Sequence, residues 1–193
     1  RVISALPGAV TLYDQNSDDK GKAILSTDFD DYDSWDSYGA DDFTIPTGHK
    51  WRIREIEVSG SYSCRDCGGA ASESVFFYRD RKSQPGKLIA KCEAVEGTDS
   101  QGSFAIKIPK QCKIILKGGK RYWISVSAAM EFHPDGYWGW ETRNDQKEGP
   151  AMWENPGGGL NNCRSWGVMT DCIGDYSEGP DFMFALKGDD IVK

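Results

Sequence analysis

The chain has 193 residues, a formal net charge of −7, 12 % aromatic residues and seven Trp. The aromatic content excludes a disordered chain, and the scattered Lys and Arg argue against nucleic-acid binding. No apolar run approaches the ~20 residues that span a bilayer, so we expect no membrane insertion. This length fits one well-filled core, and a single disulfide-stabilised domain over residues 1–193 is predicted.

Short apolar or alternating runs recur along the chain between Gly, Pro, Asp and Asn, and no stretch has helical periodicity. This pattern is typical of antiparallel strands in a sandwich or barrel. Residue parity switches inside the run 51–58, which predicts a β-bulge near Arg54 and Glu55. We predict an all-β, jelly-roll-like sandwich of two antiparallel sheets with about ten strands. In chain order the runs are 2–6, 10–13, 23–25, 42–45, 51–58, 75–78, 88–92, 104–108, 114–116, 122–128, 137–140 and 182–186.

Six Cys residues form an even set, which favours three disulfides and an oxidising compartment. We predict the pairs Cys92–Cys112 and Cys163–Cys172, which leaves Cys64–Cys67 as a short loop. Only one Cys-x-x-Cys motif is present, and the two His residues stand apart, so disulfides are favoured over zinc.

Acidic residues concentrate near the N-terminus: ten Asp and only Lys20 and Lys22 lie between positions 14 and 42. Calcium prefers carboxylate and carbonyl oxygens from flexible loops, so a structural Ca²⁺ is predicted. Its candidate ligands are Asp14, Asn16, Asp18, Asp28, Asp30, Asp31, Asp33 and Asp36. The alternative is a solvated acidic loop whose Asp residues cap turns. Asp41 and Asp42 either join such a site or satisfy backbone donors.

Aromatic residues cluster in the second half of the chain among Gly, Asn and Asp, and rings in such loops suit a ligand site. The predicted ligand-binding set is Trp35, Tyr137, Trp138, Trp140, Trp153 and Trp166. In a strand, Trp138 and Trp140 would share one face. The alternative is that most of these rings are core, while Trp35 in the acidic loop is the one expected to be exposed.

Several fragments also occur together in a fixed order over about residues 12–188. They are Ala40-Asp41-Asp42-Phe43, Phe77-Tyr78, Gln84-Pro85-Gly86, Tyr122-Trp123-Ile124-Ser125-Val126, Trp138-Gly139-Trp140 and Asp181-Phe182. In this order they resemble a loosely defined group of exported bacterial β-sandwich domains found in surface-anchored or secreted proteins. The resemblance implies a secreted or cell-surface location and a non-catalytic accessory role, but it does not explain the six Cys or the dense Asp of residues 28–36.

The sequence therefore predicts a secreted, calcium-stabilised binding or adhesion module for carbohydrate or another extracellular surface polymer. It is not expected to be an enzyme, because His49 and His133 lie in no recognisable nucleophile motif. The alternative is a structural subunit that self-associates through edge strands into a filament or sheath. Apolar residues near both ends, Val2-Ile3 and Ile191-Val192, would supply such strands.

Overall fold

The computed structural model describes residues 8–64, 66, 68–174 and 179–191. Within them the chain forms 17 strands in three sheets, so the all-β prediction is confirmed and the prediction of two sheets with about ten strands is wrong. The run 2–6 lies outside the described residues. The strands, numbered in chain order, are β1 (Val10–Asp14), β2 (Asp19–Leu25), β3 (Thr27–Phe29), β4 (Tyr38–Ile45), β5 (Lys50–Val58), β6 (Gly60–Tyr62), β7 (Ser72–Asp80), β8 (Pro85–Val95), β9 (Thr98–Ser100), β10 (Ser103–Lys107), β11 (Ile115–Lys117), β12 (Lys120–Met130), β13 (Trp138–Arg143), β14 (Met152–Glu154), β15 (Gly167–Val168), β16 (Asp181–Phe182) and β17 (Phe184–Asp190).

Three short helical turns interrupt the strands in the described part of the chain: a 3-10 turn, Asp33–Trp35, and the helices α1 (Phe132–Asp135) and α2 (Met169–Ile173). None of these is long and apolar enough to cross a membrane. Segments of three to five residues are too short to show helical periodicity, so these turns cannot be predicted from the sequence pattern.

The first sheet is built around β5 and has the order β1-β17-β5-β10-β9, with β11 pairing with the start of β5. Lys187 lies opposite Glu55 and Gly188 opposite Ile53, so Arg54 is the extra residue of a bulge. The predicted bulge is therefore confirmed. Gly188 is needed beside it, because a Cβ at that position would lie 1.9 Å from the carbonyl oxygen of Arg52.

The second sheet is built around β12 and has the order β15-β14-β4-β12-β7-β8. Strand β3 also pairs with β12, and it does so in parallel, while the other pairs are antiparallel. Residues 122–128 of β12 are all buried, as expected for a strand covered on both faces. The acidic segment around the 3-10 turn is attached to this sheet, because the strands on either side of the turn, β3 and β4, both belong to the sheet.

The third sheet has β13 at its centre, with β16 and β2 beside it and β6 also pairing with β13. Strands β6 and β16 have only three and two residues. Strands this short show no alternation of apolar and polar residues from which they could be predicted. The third sheet was therefore not predicted from the sequence.

One hydrophobic core joins the three sheets. Phe43 and Trp51 stack across it, with ring centroids 6.2 Å apart. Trp140 of β13 stacks on Phe182 of β16 at 4.5 Å. Fully buried aromatic rings of this size each remove about 150–250 Å² from water, so they supply much of the stability of the fold.

Two disulfides lie within the described residues, Cys92–Cys112 and Cys163–Cys172, and both predicted pairs are thereby confirmed. Cys92 belongs to β8 and ties this strand to the segment before β11. Cys163 and Cys172 join the loop before β15 to α2. The predicted pair Cys64–Cys67 lies outside the described residues, because Cys67 does.

Candidate functional site

A groove of about 450 Å³ lies between β2, the 3-10 turn and the segments on either side of β15. Its lining is mostly apolar, with Lys22 and Asn162 as the longer polar side chains. This volume falls within the ~300–1,000 Å³ typical of small-molecule sites. The lining residues are Lys22, Ala23, Ile24, Leu25, Phe29, Trp35, Tyr137, Trp153, Leu160, Asn162 and Ile173.

Two of the predicted ligand-binding aromatics present accessible rings in this groove. Trp35 is half-buried, and Tyr137 is 40 % exposed. Trp153 contributes to the lining but is fully buried, and its indole Nε1 donates to the carbonyl oxygen of Leu25 at 2.8 Å. The groove therefore has two accessible aromatic walls and a third ring packed beneath its surface.

The other predicted aromatics lie elsewhere. Trp138 and Trp140 share one face of β13 as predicted, but that face is the core, and both side chains have no exposed surface. Their assignment to the ligand site is therefore wrong: a sheet face this apolar is more stable covered by another sheet than by water. Trp166 is half-buried against Tyr78 and does not line the groove.

An aromatic cluster beside the groove holds Trp35 in place. The ring of Tyr32 lies 5.7 Å from that of Trp35, and the ring of Phe132 lies 5.3 Å from it. The carboxylate of Asp31 fixes Phe132, because its Oδ1 accepts the Phe132 backbone N–H at 2.7 Å and its Oδ2 accepts that of His133 at 3.2 Å. Trp35 thus belongs to a packed cluster and not to a free loop tip.

The Gly-rich loop after β14 packs directly on the backbone around Trp35. A Cβ at Gly157 would lie 2.6 Å from Cα of Ser34, and one at Gly159 would lie 2.5 Å from Cδ1 of Trp35. The Gly159 N–H also donates to the Ser34 carbonyl oxygen at 2.8 Å. These glycines are therefore required by close contact, a role that the sequence does not reveal.

The first predicted set of calcium ligands is already engaged in hydrogen bonds. Asp14 Oδ1 accepts the Asn16 N–H at 2.8 Å, and Asn16 Oδ1 accepts the Ser59 hydroxyl at 2.8 Å. Asp18 Oδ1 accepts from Asn144 Nδ2, and its Oδ2 accepts the Asp145 N–H. These contacts are those of residues that fix turns.

The second set, on residues 28–36, is similar. Asp36 Oδ1 accepts the Phe29 N–H at 2.8 Å, and Asp28 Oδ1 accepts the Tyr38 hydroxyl at 3.2 Å. Burial raises the pKa of Asp36 to about 6 although the Phe29 hydrogen bond opposes the shift, and the charges of Asp28 and Asp33 raise it further. Asp30 and Asp33 are exposed. Among the described residues no three His, Cys, Asp or Glu side chains converge as a metal site would require, and calcium stays a prediction.

Buried carboxylates form a separate polar cluster inside the fold. Asp41 is fully buried and accepts from the backbone N–H of Asp42 and Phe182 and from Nε2 of Gln15. Burial, and then the charge of Asp181, raise its pKa. Asp42 accepts from Gly149 N–H and pairs with Arg121. These two Asp therefore satisfy internal donors, the second of the uses considered from the sequence.

Asp181 completes this cluster, and the sequence analysis missed it as a polar centre. Its Oδ2 accepts the Lys147 N–H, while burial and then the charge of Asp42 raise its pKa to about 7. In the sequence, Asp181 is noted only as part of the fragment Asp181-Phe182 and not as a polar centre. No local signal distinguishes an Asp at a strand start that caps a turn from one that is buried.

The groove can therefore hold the apolar face of a ligand against aromatic side walls, while hydroxyl, amide and ammonium groups at its rim exchange hydrogen bonds with the ligand's polar edge. The buried carboxylates lie in the interior and serve the fold. Comparison of the chain with known proteins found no matching family model, no similar curated protein and no similar solved structure.

Proposed function

We propose that this protein is a secreted, non-catalytic module that binds neutral carbohydrate in the groove lined by Trp35 and Tyr137. The observation that carries the proposal is that these two rings remain accessible in one groove while Trp138, Trp140 and Trp153 are fully buried. The same fold buries four Trp side chains completely, so the accessible rings of Trp35 and Tyr137 differ from most of its large aromatic residues.

Carbohydrate fits the chemistry of this groove. A pyranose ring has one apolar face of C–H groups and a polar rim of hydroxyls, so it needs both an aromatic platform and hydrogen-bonding groups. Trp35 and Tyr137 supply the first, while the Tyr137 hydroxyl, the Asn162 amide and the Lys22 ammonium supply the second. A purely apolar ligand would make no hydrogen bonds with these polar groups.

The charge of the surrounding surface favours neutral over acidic glycans. Asp28, Asp30 and Asp33 are exposed in the segment that carries Trp35. Like charges across an interface oppose binding, so a polymer of uronic acids would be repelled. Lys22 is the one basic residue among the described residues that line the groove.

A location outside the cell is supported by two features. The structure holds two disulfides, which persist in oxidising compartments. The order of motifs from residue 40 to residue 182 also resembles that of exported bacterial β-sandwich domains. A domain of this kind would act by binding alone.

Self-association is the second candidate, and β1 is the edge that favours it. This strand ends one side of the first sheet, and its Val10 is 52 % exposed. Three other edges of the first and second sheets are poorer templates: β9 has three residues, β15 has two, and the pairing of β8 with β7 shifts register at three places. Short or irregular edges oppose strand addition. Light scattering with and without calcium distinguishes a monomer near 21.4 kDa from a polymer.

The test of carbohydrate binding is calorimetric titration with neutral cello-, xylo- and chito-oligosaccharides and with oligogalacturonate. We expect measurable affinity for at least one neutral series and none for oligogalacturonate. The variants W35A and Y137A should each weaken that affinity at least tenfold, or about 1.4 kcal/mol.

The matched control is W166A, which removes a half-buried Trp outside the groove. Its affinity should equal that of the unmodified protein. If W166A reduces affinity as strongly as W35A while both remain folded, or if no neutral oligosaccharide binds, the proposed function is wrong.

A further inference from the structure

Asn155 stands directly after β14, and its side chain is fully buried. It does not line the groove. A buried amide must find partners for both its oxygen and its nitrogen, and each partner it leaves unpaired costs free energy. The identity of those partners shows what this residue does.

The amide nitrogen holds the wall that carries Trp35. Nδ2 donates to the carbonyl oxygen of Ser34 at 2.9 Å and to that of Asp36 at 2.8 Å. These two residues flank Trp35 on either side. Two hydrogen bonds from one planar group therefore fix the backbone from which the Trp35 ring projects.

The amide oxygen and the backbone of the same residue hold a second wall, which contacts the first through the hydrogen bond from Gly159 to Ser34. Oδ1 accepts the N–H of Leu160 at 3.0 Å, and the Asn155 N–H donates to the Cys163 carbonyl oxygen at 2.7 Å. Leu160 lines the groove. Cys163 is bonded to Cys172, which precedes the lining residue Ile173. One residue thus connects both walls.

We propose that Asn155 is the positioning residue of this groove: it sets the separation of Trp35 from Leu160 and thereby the affinity for the ligand. The inference rests on the proposed carbohydrate function for its ligand, but the connection between the walls can be measured without one. Asn155 acts on the ligand through Trp35 and Leu160 and does not touch it.

Among residues of this size, only Asn supplies the required set of groups. Asp matches its shape and keeps an acceptor for the Leu160 N–H, but its carboxylate cannot donate to the carbonyls of Ser34 and Asp36. Gln carries the same amide on a longer stem and would not fit the same contacts. The variant N155D is therefore the narrowest test, because it changes donors into acceptors without removing volume.

The matched control is N144D. The Nδ2 atom of Asn144 also donates to the backbone carbonyls of Asp18 and Asp19, both at 3.1 Å, and to the Asp18 carboxylate at 3.2 Å, but this residue is exposed and does not line the groove. Both variants undergo the same chemical change and gain the same charge. Any effect of charge alone should therefore appear in N144D as well.

Two readouts are needed. The first is the indole ¹H–¹⁵N signal of Trp35, assigned by comparison with W35F, measured without ligand. The second is the affinity for the neutral oligosaccharides of the previous section. In N155D we expect the Trp35 signal to move and the affinity to fall at least tenfold, while N144D changes neither.

A pH series adds a result that a general loss of packing would not give. Burial next to two carbonyls raises the pKa of the introduced carboxyl, and its neutral form can donate one hydrogen bond. The affinity of N155D relative to the unmodified protein should therefore recover in part as the pH falls from 8 to 5. The same ratio for N144D should stay constant.

A folded N155D with an unmoved Trp35 signal and unchanged affinity would overturn the inference. If the Trp35 signal moves but neither protein binds any oligosaccharide, the positioning role is supported and the carbohydrate function is wrong. Should N155D fail to fold, N155S replaces it, since this side chain is smaller but polar and cannot reach both walls. The same two outcomes then decide.

Discussion

The pair Trp138 and Trp140 on β13 contrasts with the pair Trp35 and Tyr137 around the groove. The first two are fully buried, and each indole Nε1 donates to a backbone carbonyl oxygen, that of Gly102 at 2.7 Å and that of Met183 at 2.8 Å. The second two are partly exposed and project from a 3-10 turn and from the residue before β13. Rings of one chemical class thus lie in opposite environments.

This difference shows that the element carrying a ring, more than the type of ring, decides whether the ring is buried or accessible. A regular strand places alternate side chains on a sheet face, and in this fold such faces are covered by other sheets. Turns lie at the edges of the layers, where no other sheet covers them. Trp35 is accessible because its turn lies outside the packed layers, although its backbone is firmly held.

The most disruptive way to test this contrast is to truncate a core ring. W140A removes a side chain that stacks on Phe182 and lies in the common core. We expect a loss of about 3–5 kcal/mol in the free energy of unfolding, measured by urea denaturation. W35A should lose far less, and equal destabilisation by the two variants would contradict the division into core and groove.

Removing the disulfides one at a time distinguishes effects on the stability of the fold from effects on the groove. The variants C92S/C112S and C163S/C172S should each lose about 2–4 kcal/mol of stability, with the larger loss for the longer loop closed by Cys92–Cys112. Only C163S/C172S should also lose oligosaccharide affinity, because Leu160, Asn162 and Ile173 of the groove flank its cysteines.

Urea denaturation and calorimetric titration measure the two losses separately. Each disulfide variant serves as the control for the other. If a folded C92S/C112S protein binds the oligosaccharide more weakly than C163S/C172S does, the groove depends on the sheet that contains Cys92 and not on the disulfide Cys163–Cys172 beside it.

The buried carboxylates in the interior also predict that stability depends on pH. The pKa of Asp181 is about 7 and that of Asp42 about 6, both raised first of all by burial. Between pH ~4 and ~7 the folded state keeps protons that the unfolded chain has released, so stability is lost as the pH rises through this window. From Asp181 alone we expect a loss of about 2–3 kcal/mol between pH 5 and pH 8, and Asp42 adds about 1 kcal/mol.

The control is D181N, which keeps an oxygen for the Lys147 N–H but carries no charge. Its stability should fall less steeply over the same pH range in thermal unfolding. An equal slope in D181N would mean that Asp181 does not carry the dependence.

The smallest expected effect is that of calcium on the acidic segment. An ion bound only by the folded state stabilises it by mass action. Because Asp14, Asp18, Asp31 and Asp36 already accept hydrogen bonds, we expect chelation to lower the melting temperature by only a few degrees, about 1 kcal/mol or less. An unchanged melting curve, on a sample freed of other divalent ions, would exclude a stabilising calcium.

The sequence predicted what is encoded by local pattern. Residues 51–58 revealed both a strand and its bulge, because parity is visible within a few residues. The pairs Cys92–Cys112 and Cys163–Cys172 followed from the strands and loops around them. The third sheet was missed because β6 and β16 are too short to alternate.

The groove depended on contacts between distant parts of the chain. Trp35 was expected to be exposed, and it lines the groove, but its partners Phe132 and Gly159 lie about a hundred residues further on. Asn155 drew no attention, since an Asn before Pro-Gly is an ordinary turn residue. Its buried contacts to Ser34 and Leu160 become visible only in the folded chain.

The most direct test follows all seven Trp indole signals in ¹H–¹⁵N spectra during titration with the neutral oligosaccharides. The proposed function predicts that the Trp35 signal shifts in a saturable way, while the signals of Trp138, Trp140 and Trp166 stay in place. A saturable shift of Trp166 with an unmoved Trp35 would place the ligand elsewhere. That result would contradict the groove as the binding site.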